Sequence, residues 1–194
     1  MLLNLFHLSA RIRMMNKYRI MKMIKLGGKS MNVYITAGTL DFLKKIENKY
    51  NHELMVAMLN ENGALLLHET NGQTVFNEPR RYEVLESNGQ LQQKGFVVMH
   101  NISVTDEGRP LFEHQFKQQA KTIVNTQGLT ALRLLRPESS NPYIIMTVWE
   151  HQTFYLKWQG ANSPLDQLKA SFDGQQKIFT STPYVSKYTI AGDK

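Results

Sequence analysis

Between Phe96 and Ile190 the apolar period switches from two to about 3.6 and back in the order β-α-β-β-α-β. Alternation over 96–104 reads as a strand. VTDEG (104–108) then leads into a helix over 109–124, opened by Arg109-Pro110, where proline at a first turn costs no hydrogen bond. Strands follow over 129–136 and 143–149, separated by a turn at 138–142. Helical sequence runs from 150 toward 158 and, after a break at 160–164, over 165–172, and 184–190 closes as a strand. With connections this short, that order implies an α+β unit of the ferredoxin-like kind, one antiparallel sheet with helices on one face.

The preceding segment reads as a partial copy of the same plan. A strand over 32–37 is followed by Thr39, an N-cap residue, and a helix over 40–50 with Phe42, Leu43 and Ile46 on one stripe. Strands over 53–59 and 64–68 are joined through Asn62-Gly63, a strong hairpin signal. Asn71-Gly72 marks a further turn before 74–76, and 82–85 reads as another short strand. The polar run 86–94 is the expected linker. The organisation expected is therefore an extension over 1–30, a covering half over 31–93 and a complete unit over 94–194. Ferredoxin-like sheets leave edges that need cover, and one half can supply it for the other.

Charge excludes one class of partner. The formal charge is +7, from 23 Lys and Arg against 16 Asp and Glu. Seven of the basic residues lie in 1–30, which has no acidic one, so 31–194 is balanced and has no basic footprint for nucleic acid. The basic arm has two readings. It is a lipid-touching or targeting segment, or it is untranslated: Gly27-Gly28-Lys29 can be encoded by a purine-rich ribosome-binding sequence just before Met31, giving a chain that starts there. There is no cysteine, hence no disulfide, thiolate nucleophile or Cys-bound zinc, which suits the reducing cytoplasm. No apolar run reaches the roughly 20 residues that span a bilayer. Dinucleotide, Walker, HExxH and nucleophile-elbow patterns are missing.

The blocks HETNGQTVF (68–76), NISVTDEGRPLFEHQFK (101–117), LRLLRP (132–137) and TVWEHQTF (147–154) resemble the antibiotic-biosynthesis-monooxygenase superfamily. Specifically, they are similar to its two-part, N-terminally extended haem-degrading monooxygenases. The staphylococcal target of RNAIII-activating protein shares the layout. The resemblance implies a pseudo-dimeric barrel and a monomer. It implies haem as both substrate and cofactor, with dioxygen and an external electron donor. Asn101 matches the amide that hydrogen-bonds bound oxygen, and Trp158 the ring that distorts the macrocycle. Read on their own, Asn101 is a satisfied polar group at a strand end and Trp158 is core.

The departure is at position 168. The resemblance places the proximal histidine there, and this chain has Leu168. Substitute iron ligands by sequence position are His114 and Tyr155. His100 adjoins Asn101 and points to the opposite face. His114, Lys117 and Lys121 fall at i, i+3 and i+7, which is either a solvated helix face or a set of cations for haem propionates. Phe112, Phe116, Val148 and Leu168 are the expected apolar walls of a cleft between sheet and helices. At about 25 cal/mol per Å² of apolar area, porphyrin burial supports binding without a strong axial ligand, so loss of the histidine threatens turnover first. The alternatives are a non-catalytic haem-binding or regulatory relative, and a cofactor-independent oxygenase of a small aromatic substrate.

Overall fold

A computed structural model describes residues 30–140, 142–159 and 178–192. The elements are β1 Asn32–Gly38, α1 Leu40–Lys49, β2 Leu54–Asn60, β3 Gly63–Thr70, β4 Arg80–Gly89 and β5 Phe96–Ile102. They continue with α2 Arg109–Ile123, β6 Leu129–Pro137, β7 Tyr143–Trp149, α3 Gln152–Gln159 and β8 Tyr184–Ile190. The strands close into one antiparallel barrel in the order β1-β3-β2-β8-β5-β7-β6-β4. Split between β2 and β8 and between β4 and β6, the barrel is two sheets of identical connectivity: fourth strand, first, third, second. That is the ferredoxin-like order twice in one chain, so the first half completes a pseudo-dimer.

Period-two alternation assigns the faces. Val33, Ile35, Val56, Met58, Leu67, Val97, Met99, Leu135, Ile144, Met146 and Val148 fill the barrel. The outer face of the second half carries Leu132, Leu134, Tyr143 and Ile145 under α2. It also carries Phe96, Val98 and Trp149 under α3. The outer face of the first half buries Tyr34, Met55, Leu66 and Phe76 with Leu43 of α1. Phe42 departs from the expected stripe: it is 58% exposed, one residue off the face that Leu43 and Ile46 share. Thr39 caps α1 through its backbone carbonyl, which accepts the Leu43 N–H, and its side chain makes no capping bond.

After the Asn71-Gly72 turn, Thr74 Oγ1 takes the Phe76 N–H (3.2 Å) and sits 3.2 Å from His68 Nδ1. His68 Nε2 in turn meets Glu53 Oε2 at 3.1 Å, so both ring nitrogens are occupied and the loop after β3 is pinned over the first half. The run 86–94 is not all linker: β4 continues through it to Gly89 by pairing with β6 across a bulge at Val84/Glu86. The linker is the remainder, from which Leu91 packs on the barrel core and Gln93 donates to the Met55 carbonyl.

A buried ion pair ties the halves together. Arg133 on β6 and Glu69 on β3, 4% and 8% exposed, meet in a two-pronged contact of 2.6 and 3.0 Å. The remaining guanidinium donors reach the carbonyls of Asn88, Leu132 and Gly89. Such an arrangement compensates the desolvation of both charges.

Candidate active site

On the helix side of the second half, α3 lays Tyr155 and Trp158 on Trp149 and Phe96. Ring centroids are 5.1 Å apart for Trp149–Trp158, 5.9 Å for Trp149–Tyr155 and Phe96–Tyr155, and 6.2 Å for Tyr155–Trp158. The Trp149 indole N–H is satisfied by Thr147 Oγ1 at 2.9 Å, which fixes its ring. The start of α3 is held by Glu150, whose N–H bonds the Gly128 carbonyl, and by Phe154, whose ring covers Gly128. Gly128 has φ +79, and an added Cβ would lie 2.2 Å from that ring, so only glycine fits.

Tyr155 is fully buried, and its Oη has no hydrogen-bond partner. Burial alone pushes its hydroxyl pKa up. Trp158 is partly exposed at the rim of the cluster. His100 is buried on this same outer face, as alternation requires.

The other expected residues are not gathered here. Asn101 shares the barrel-interior face with Val97 and Met99, and its amide donates to Met99 O (3.1 Å), Ser186 Oγ (3.4 Å) and Tyr184 O (3.5 Å). Val148, one residue from outward-facing Trp149, also points into the barrel, so it cannot wall a cleft on the helix side. Phe112 and Phe116 are on the helix side but are buried against Leu132, Leu134 and Tyr143, filling the space under α2 rather than lining a cleft. Leu168 lies outside the described residues.

His114, Lys117 and Lys121 are all exposed on α2. Lys117 is 3.8 Å from Glu86, and Lys121 bonds Gln118 at 3.3 Å. Both lysines line a groove of about 440 Å³ between α2 and the end of β4, floored by Ala120, Val124 and Leu132. Among the described residues no cluster of three or more His, Asp and Glu could hold a metal ion.

One network was not legible in the sequence. Arg136 bonds Glu113 at 2.8 and 2.6 Å and Glu83 at 3.0 Å, while Tyr143 donates to Glu113 at 2.6 Å. Burial pushes the Glu113 carboxyl up, but hydrogen bonds from Arg136 and Tyr143 outweigh it and hold the group below the usual carboxylate range. The same bond to Glu113 raises Arg136, and burial with that carboxylate raises Tyr143. Its members come from β4, α2, β6 and β7, so no local spacing signals it.

Comparison with known proteins agrees with this architecture. Residues 95–164 match the family model for antibiotic biosynthesis monooxygenase. The chain is 29% identical over 135 residues to a heme-degrading monooxygenase of Listeria monocytogenes, covering 70% of this chain and 80% of that protein. It is 28% identical over 157 residues to the signal transduction protein TRAP of Staphylococcus aureus, covering 80% and 92%. Among solved structures it superposes on a monooxygenase-like protein of Listeria innocua with a TM-score of 0.71 at 23% identity, covering 86% and 96%. Residues 95–164 are thus similar to the antibiotic biosynthesis monooxygenase family, and the barrel as a whole shares the fold of the superposed structure.

Proposed function

We propose that this protein is a haem-binding monooxygenase that opens the haem ring and releases iron, acting as a monomer in the cytoplasm. The observation that carries the reading is the aromatic face of α3, with Trp158 at its rim, in a chain similar to a haem-degrading relative. An apolar aromatic rim suits a porphyrin, and Trp158, its partly exposed member, is the group we assign to press on the macrocycle. When bound, haem supplies the oxygen-activating chemistry and is itself consumed, with electrons from an external donor. Lys117 and Lys121 are the exposed cations of α2 suited to carboxylates, although Glu86 partly neutralises the first and Gln118 accepts from the second. A barrel closed within one chain needs no second copy to cover its sheet.

One residue departs from the haem-degrading pattern, and one that matches it is engaged elsewhere. Leu168 cannot ligate iron, and Asn101 would have to release Met99 and Ser186 before its amide could orient bound oxygen. These two features favour a second reading, a relative that binds haem without degrading it. Titration of haemin into the protein, followed by ascorbate under air with catalase, separates the two. One-to-one binding followed by Soret loss, slower in Trp158→Ala, supports the enzyme. A Soret band that persists supports the binding protein. No saturable binding refutes both.

A further inference from the structure

The two ends of the barrel differ in how their polar groups are paired. At one end the Arg133–Glu69 pair is fully bonded and Leu91 of the linker packs over the core. At the other end β4 enters and β5 leaves. Arg81 there faces outward, bonded to Glu138 at 3.0 Å and lying over the Tyr34 ring. Arg80 and Tyr82, on either side of it, share the interior face. Arg80 is half-buried with no carboxylate partner among the described residues, and Tyr82 is fully buried with a hydroxyl that has no partner at full hydrogen-bond distance.

Burial pushes the Tyr82 hydroxyl pKa up, the charge and the hydrogen-bonding approach of Arg80 lower it and Tyr184 raises it, so the Arg80 guanidinium lies beside this hydroxyl. Tyr184 pairs with Asn101 across β5 and is 54% exposed at this mouth. β2 meets β8 only at Met58–Leu59 with Ile190–Thr189, so beside Tyr184 the seam has no strand-to-strand pairing among the described residues. The pseudo-equivalent seam is continuous from Tyr82 to Gly89. Among the described residues, the barrel wall is thus least complete beside Tyr184.

A buried hydroxyl with no partner at full hydrogen-bond distance, beside a guanidinium that faces no carboxylate among the described residues, calls for one complement, an oxyanion that accepts from both. The neighbouring interior residues Leu135 and Ile144 are apolar. We propose that this end of the barrel binds a small organic carboxylate, its oxygens taking the Arg80 fork and the Tyr82 O–H and its apolar body lying against Ile144 and the Tyr184 ring. The site lies inside the barrel, on the other side of the sheet from the Trp158 face, and does not depend on haem.

The test is isothermal titration of the full chain with benzoate and with acetate. Saturable one-to-one binding of at least one acid is expected, weakened about tenfold or more in Arg80→Gln and in Tyr82→Phe and unchanged in Arg81→Gln. Tyr82→Phe deletes a hydroxyl with no partner at full hydrogen-bond distance, so without ligand it should melt no lower than the wild type, separating lost binding from lost fold. Binding of neither acid by the wild type overturns the proposal, as does undiminished binding by Arg80→Gln.

Discussion

Replacing Arg133 with methionine should be the most damaging conservative change in the barrel. The substitution leaves the Glu69 carboxylate, 8% exposed, without its two-pronged partner. It also removes the donors to the Asn88, Leu132 and Gly89 carbonyls. Stranding one member of a buried ion pair costs about 3–5 kcal/mol. For a chain of this size each kcal/mol moves the melting temperature by about 2–4 °C, so a fall of about 6–20 °C is expected. The double variant Arg133→Met/Glu69→Leu removes the stranded charge as well and should recover most of the loss, because apolar replacements of buried pairs are often near neutral. Urea unfolding of the two single variants and the double gives the coupling energy, expected above about 2 kcal/mol. A loss below about 1 kcal/mol in Arg133→Met, or a double variant less stable than that single, would refute the argument that the pair must be kept or removed as a unit.

Gly128→Ala should cost about 2–4 kcal/mol, combining a left-handed backbone with a clash against Phe154, read by urea unfolding and by loss of near-ultraviolet tryptophan dichroism. Glu113 has a folded pKa below its unfolded value, so its contribution is present above about pH 4 and is lost as pH falls through the folded pKa. Urea midpoints measured from pH 6 downward should therefore fall more steeply for the wild type than for Glu113→Gln. Asn101→Ala should lower stability by about 1–3 kcal/mol, since its amide serves buried acceptors, while leaving the Soret titration with haemin unchanged. A loss of turnover without loss of stability would instead restore Asn101 to the haem chemistry.

The sequence by itself determined the element order and most of the boundaries. Strands β7 and β8 fall where alternation places them, because period two and the flanking turn residues are local properties. It also put His100 opposite Asn101. Tertiary structure alone decided which side each strand turns inward. Phe96 and Trp149 lie under α3 while Val97 and Val148, one residue away, lie in the barrel, and a shift of one residue exchanges every such assignment. That choice separates Asn101 from Trp158 by the sheet, although both belong to one motif set in the chain. It also pairs Glu69 with Arg133 and Glu113 with Arg136, partners 64 and 23 residues apart that no spacing connects. Charges so distant in sequence meet only when the barrel closes, so their bonds and pKa shifts are products of the closed fold.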